Sequence, residues 1–155
     1  MLMSVEDKLH ELGLSLSEPN APVANFVPAV RTGNLLFVAG HIGFMPDGSI
    51  LHPGKVGRDV TEEQAYESAR QAMLNCLAAI KAETGSLDSV KRVVKLLVMV
   101  NADPDYERHF AVGNGASDLL VSLYGDQGRH ARSAVGMVGL PLRAPVEVEM
   151  VVEVE

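Results

Sequence analysis

Residues 130–141 read His130-Ala131-Arg132-Ser133-Ala134-Val135-Gly136-Met137-Val138-Gly139-Leu140-Pro141, and after Leu142-Arg143-Ala144-Pro145 the chain closes with Val146-Glu147-Val148-Glu149-Met150-Val151-Val152-Glu153-Val154-Glu155. In the closing segment Val146, Val148, Met150, Val152 and Val154 fall on one face, and Glu147, Glu149 and Glu153 fall on the other. That is the two-residue period of a strand with one face packed and one face wet. Ser133 to Leu140 reads as a second strand, joined to the last across Pro141 to Pro145.

Upstream, the pattern changes period. Val90 to Val100 is rich in valine and leucine and reads as a central strand. Thr61-Glu62-Glu63-Gln64 is a capping box, in which hydroxyl and amide side chains satisfy orphan N–H groups at a helix start. The helix it opens runs to about Thr84, with Ala65, Ala69, Ala72, Met73, Cys76, Leu77 and Ile80 spaced by three and four, and Gly85 ends it. A second helix, about Tyr106 to Tyr124, ends at Gly125 and carries Val112-Gly113-Asn114-Gly115 in its middle. Two glycines there cost about 1 kcal/mol each against alanine, so a kink or a close approach is expected. Nearer the start, Ala24 to Ile42 reads as a hairpin turning at Thr32-Gly33-Asn34, and Phe44 to Ile50, around Pro46-Asp47-Gly48, as a weaker second one. Ser4 to Gly13 reads as a short capped helix, and Ser17-Glu18-Pro19-Asn20-Ala21-Pro22 as an extended connector. The order β-β, a short third strand, α, β, α, β, β predicts an α+β fold, with two helices packed on one face of a mixed β-sheet. Residues 1–155 read as one domain, with the N-terminal helix and connector at about 4–23.

Composition narrows the function classes. A chain of 155 residues buries about two thirds of its unfolded surface without disulfides or a structural metal, and its single cysteine, Cys76, falls on the apolar helix stripe as a packing residue. With 13 Lys and Arg against 20 Asp and Glu the formal charge is −7. A protein that binds a phosphate backbone gains affinity when its positive side chains neutralise the phosphates, so nucleic acid is a disfavoured partner. The N-terminal segment mixes charge among its leucines, unlike a secretory signal. Apolar runs such as Leu96 to Val100 fall far short of the roughly 20 residues needed to cross a bilayer. The chain reads as a soluble cytoplasmic protein with no membrane partner. The phosphate-binding and dinucleotide-binding glycine patterns and the nucleophile elbow are absent, and the five histidines lack zinc-helix spacing.

The tail, His130 to Pro141 followed by Ala144 to Glu149, resembles the Rid family, also called the YjgF or endoribonuclease L-PSP-like family. Its tail motif is Arg-Ser, a short strand, Leu-Pro, then an alternating strand with glutamates. Ala29 to Gly40 is similar to that family's first hairpin, Gly85 to Val100 to its helix-to-strand segment, and Asn114 to Leu120 to the second helix of a longer, poorly characterised branch. The resemblance implies a chorismate-mutase-like fold assembled as a homotrimer with clefts between subunits. It also implies cofactor-free, metal-free hydrolysis of reactive enamines and imines to a keto acid and ammonia. By motif position, Arg132 would pair with a small-molecule carboxylate, Glu147 would position or deprotonate the attacking water, Gly40 would supply a backbone contact, and Asn114 would line the cleft.

Three positions depart from the deaminase pattern: Phe26 stands where a tyrosine is expected, Ala39 where a serine is, and Ala134 where a cysteine is. His41, beside Gly40, could restore polarity. Each candidate has a plainer reading. Arg132 could pair with a tail glutamate, Glu147 could be one more exposed carboxylate, His41 a hydrogen-bonded strand-end residue, and Asn114 the cap of a kink. The leading functional reading is a Rid-like hydrolase. A trimer that binds a carboxylate without turning it over is the alternative, and an endoribonuclease ranks last on charge.

Overall fold

The computed structural model describes residues 2–19 and 21–155; Asn20, within the expected connector, lies outside them. Five strands form one sheet: β1 (Ala29–Thr32), β2 (Leu35–Ile42), β3 (Val90–Asn101), β4 (Ala131–Met137) and β5 (Val146–Val154), in the order β1-β2-β5-β3-β4. Only β3 and β4 run parallel. Among the described residues three α-helices complete the fold: α1 (Val5–Glu11), α2 (Glu62–Thr84) and α3 (His109–Tyr124). Among the described residues no helix is long and apolar enough to cross a membrane.

The local signals act as expected. Gln64 N donates to Thr61 Oγ1 at 3.1 Å and Thr61 N to Gln64 Oε1 at 3.0 Å, closing the capping box of α2, and Gly85 (φ 86°) ends that helix in the left-handed region. Thr32 pairs with Leu35 across a two-residue Gly33-Asn34 turn. The alternation of β5 fixes which face is covered. Val146, Val148, Met150, Val152 and Val154 are buried against α2 and α3, together with Leu96, Val98 and Val100 of β3. Val151 joins the glutamates on the opposite face, which no helix covers among the described residues; Phe37 and Val135 there are 45% and 41% exposed.

Three expectations change, and the strand order adds what the sequence left open. The second hairpin is reduced to one bridge between Phe44 and Ile50, because the four-residue turn leaves no length for a ladder. The helix α3 begins at His109, and Tyr106 is instead held outside it by donating its hydroxyl to Glu62 at 2.7 Å. The strand before Pro141 occupies 131–137, since β3 offers parallel partners only from Lys95 to Asn101. That strand and β5 are not neighbours: β4 takes the sheet edge and β3 lies between them.

Asn75, buried in α2, donates through Nδ2 to the carbonyls of Ile42 at 2.9 Å and Phe44 at 3.0 Å, fixing the end of β2. At the other side of the sheet Lys55 Nζ donates to Asn101 Oδ1 at 2.7 Å and to the Val138 carbonyl. Leu142 (φ 56°) and Arg143 (φ 59°) are left-handed without being glycine, a strain of order 1 kcal/mol or more each. They turn the chain from Pro141 into β5.

Candidate functional site

Arg132 lies on the edge strand β4 opposite Leu96 of β3, and Leu96 pairs in turn with Met150 of β5. Both partners are buried under the helices, so the row carries Arg132 onto the helix-covered face. Its guanidinium rests on α3: Nη1 donates to Asn114 Oδ1 at 3.0 Å and to Ser117 Oγ at 3.0 Å, and Nη2 donates to the Phe110 carbonyl at 3.1 Å. Phe110, Gly113, Asn114 and Ser117 recur at three and four residues and form one stripe of the helix. Gly113 makes this contact possible, because a Cβ there would stand 3.1 Å from Arg132 Cζ and Nη1. Gly115 serves a different neighbour: its Cβ would overlap the Tyr66 carbonyl of α2. The two glycines therefore mark close approaches along an unbroken helix, and Asn114 caps no kink.

A guanidinium has five N–H donors. The three acceptors on α3 leave Nε–H and one Nη2–H for a ligand, and Nε with Nη2 is an edge of the guanidinium that grips a carboxylate in two-pronged fashion. Every acceptor is neutral, and among the described residues no carboxylate pairs with Arg132. The tail glutamates are on the other face of the sheet, so the plain salt-bridge reading fails. Ala134 follows Arg132 on the same row, opposite Val98. Further along, the His109 ring lies over β4, where a Cβ on Gly136 would meet its Nε2 at 2.7 Å.

Glu147 sits on the uncovered face, paired with Ile42 on one side and Met99 on the other. It borders a recess of about 330 Å³ walled by connector residues Pro22, Val23, Phe26 and Pro28, by Gly40, His41, Ile42 and Phe44, and by Pro141. A register shift between Val38 and His41 inserts Ala39-Gly40 opposite Glu149. Such a bulge re-aims a strand locally. A Cβ on Gly40 would overlap the Glu147 carboxylate, so glycine is what lets that carboxylate lie along the strand. Burial, and then the charge of Glu149, push the Glu147 carboxyl above the usual glutamate range.

His41 Nδ1 lies 2.7 Å from the Ala39 carbonyl. A carbonyl only accepts, so Nδ1 carries the proton. Burial lowers the His41 pKa, opposed by that hydrogen bond. His41 is thus both a tethered strand-end residue and part of the recess wall. Phe26, 48% exposed, presents its ring to the same recess, and Ala39 lies half-buried within the bulge.

The structure accordingly brings the candidates together in two groups: Glu147, Gly40, His41 and Phe26 in the recess, and Arg132 with Asn114 on α3, with Ala134 next along β4. The groups are on opposite faces. From about 4.8 Å between strands and about 3.3 Å per residue, the register places the Cα atoms of Arg132 and Glu147 roughly 14 Å apart in the plane of the sheet. Within one chain no two- or three-carbon acid reaches both. Among the described residues no three His, Cys, Asp or Glu side chains gather to hold a metal ion. Burial raises the Cys76 thiol well above its ordinary pKa, and its Sγ lies 3.5 Å from the Val148 carbonyl, as befits packing.

Sequence reasoning missed Ser117, His130 and His109. Ser117 and His109 belong to no spaced motif and meet β4 only through the approach of α3, and His130, although it stands inside the tail motif, gains a role only from its hydrogen bond to Ser117.

A one-layer helix cover on a mixed sheet, with an arginine and a glutamate held on opposite faces, defines an α+β protein whose candidate groups divide between two surfaces. Residues 6–154 match the family described as "YjgF/chorismate_mutase-like, putative endoribonuclease". The chain belongs to that family and has its fold. It is 41% identical over 150 residues to Protein TCP17 of Trypanosoma cruzi, covering 96% of this chain and 93% of that one. It is 28% identical to a 2-iminobutanoate/2-iminopropanoate deaminase of Dermatophagoides farinae, over 90% of this chain and 95% of that protein. A solved structure of an Agrobacterium tumefaciens protein of unknown function superposes with a TM-score of 0.91 at 41% identity, covering 97% of this chain and 92% of that one.

Proposed function

We propose that the protein is a cytoplasmic homotrimer that hydrolyses small enamine or imine carboxylates to a keto acid and ammonia without a cofactor. The observation that carries the reading is the state of Arg132: anchored by three neutral acceptors, with two of its N–H groups unpaired and no carboxylate in competition among the described residues. Membership of the family and the resemblance to a named deaminase support the same chemistry.

Arg132 of one protomer holds the substrate carboxylate, and Glu147 of a neighbour faces the C=N carbon. Water adds to that carbon as Glu147 takes its proton. That proton passes to nitrogen, an enamine having first tautomerised to the imine; the carbinolamine then gives up its hydroxyl proton, again through Glu147, to the amine, and the C–N bond breaks as the C=O forms and ammonia leaves. An elevated carboxyl pKa suits a group that must accept and then return a proton near neutral pH, a contribution of roughly 10²- to 10⁴-fold. Assembly is argued from the uncovered sheet face, where apolar side chains alternate with carboxylates, and from the division of the site between two faces.

Purified protein in a 2-aminoacrylate-generating system should accelerate ammonia and keto-acid release, and Arg132→Ala should lower kcat/KM by at least about 100-fold, as expected for loss of a charge-assisted bidentate contact. No acceleration by the wild type would sink the hydrolase reading. The apolar residues Phe26, Ala39 and Ala134 favour a second reading, capture without turnover. Binding of an unreactive keto acid by calorimetry, with no hydrolysis, would select it.

A further inference from the structure

We propose that Ser117 and His130 are positioning residues: a hydrogen-bond chain from the Gly128 carbonyl through His130 and Ser117 sets the orientation in which Arg132 receives a carboxylate. This rests on the assignment of Arg132 as the carboxylate anchor.

The direction of every bond in the chain follows from its fixed end. His130 Nδ1 lies 2.7 Å from the Gly128 carbonyl, and Nε2 lies 2.8 Å from Ser117 Oγ. The carbonyl has no proton to give, so Nδ1 is the protonated nitrogen. Burial, opposed by that bond but reinforced by the charge of Arg132, lowers the pKa of the ring, and in the neutral ring Nε2 is an acceptor. The Ser117 hydroxyl therefore donates its single proton to His130. Its lone pairs are left to accept the Nη1–H of Arg132 at 3.0 Å.

The consequence concerns a rotor. An isolated serine hydroxyl beside a guanidinium can swing its proton toward solvent or toward Asn114, and its acceptor lobe then leaves the arginine. His130 captures that proton and holds Ser117 as an acceptor. The arginine side chain is long and rich in rotamers, a freedom which the bonds to Phe110, Asn114 and Ser117 restrict before any ligand arrives. A glutamate in place of Ser117 would also hold the guanidinium, but it would neutralise the charge the ligand needs. A neutral serine whose proton is tied elsewhere fixes Arg132 and leaves its charge available. The fold supports the chain at both ends: Gly128, in the 3₁₀ turn 125–128, packs so closely on α3 that a Cβ would overlap the Leu120 carbonyl.

The test is calorimetric binding of 2-oxobutanoate and of its uncharged amide to the assembled protein. Ser117→Ala and His130→Phe should each weaken the keto acid about tenfold, the loss of one charge-assisted hydrogen bond, and leave the amide within about twofold. Ser117→Thr, which keeps the hydroxyl, should bind both as the wild type does. Where turnover is measurable, KM rises in the first two variants and kcat stays. Keto-acid affinity equal to wild type in Ser117→Ala and His130→Phe overturns the proposal, and so does equal weakening of acid and amide, which would mark general damage. If the wild type binds no carboxylate, the Arg132 assignment falls and takes this inference with it.

Discussion

At the scale of single residues, the contact between Gly40 and Glu147 separates a functional role from a structural one. A methyl at position 40 would overlap only the end of a flexible side chain, so Gly40→Ala should leave the melting midpoint within a degree or two, a change of a few tenths of a kcal/mol. It should lower kcat by at least about tenfold, since the displaced carboxylate no longer faces the reacting carbon. A variant as active as wild type would detach Glu147 from the chemistry. Proton affinity gives a second check. Because its pKa is raised, the base form of Glu147 appears only above the pH at which an ordinary glutamate ionises, and the acid limb of kcat/KM should lie correspondingly high. Glu149→Gln removes the smaller of the two causes, so that limb should move to lower pH while staying above the ordinary range, because burial remains. The same sign holds for folding: the stability Glu147 supplies is complete below the ordinary glutamate pKa and is lost as pH rises through its folded value.

At the scale of elements, the approach of α3 to α2 through Gly115 predicts the outcome of a competition. Gly115→Ala gains about 1 kcal/mol of helix propensity but drives a methyl into the Tyr66 carbonyl, and overpacking of that kind costs about 1–3 kcal/mol. The melting midpoint should fall by several degrees, at about 2–4 °C per kcal/mol for a chain of this size. A rise would mean that propensity wins and the helices are free to part. Elements were legible where their signals are local. Thr61 and Gln64 announce α2 because both halves of a capping box lie within one turn, and the alternation in β5 names the covered face because Cβ direction reverses at every residue. Strand order was illegible: β5 takes its neighbours from segments far away in the chain, and nothing in residues 146–154 states that β2 and β3 flank it. The limits of β4 failed for a related reason. Val138 to Leu140 have the composition of a strand, yet β3 has no further partners for them. The hold on Arg132 was hidden likewise, since Ser117 and His130 acquire meaning only where two elements meet.

At the scale of the molecule, Arg132 and Glu147 face opposite ways, and the family resemblance alone does not say which chain supplies which. If each working cleft takes its arginine from one protomer and its glutamate from the next, two inactive variants should rescue one another. Arg132→Ala and Glu147→Gln chains, unfolded together and reassembled at equal ratio, should recover about one quarter of wild-type turnover, the fraction of heterologous interfaces that pair two intact groups. Each variant reassembled alone should stay inactive, and a mixture without activity would place both groups in a single protomer's site.

A cleft shared between protomers in this way would also tie turnover to abundance. A protomer diluted below the dissociation constant of such an assembly would keep a packed interior yet lose catalysis, because the arginine and glutamate of any one chain point away from each other. Specific activity would then fall with protein concentration while the circular dichroism of the chain stayed the same, and mass action would act as an off switch.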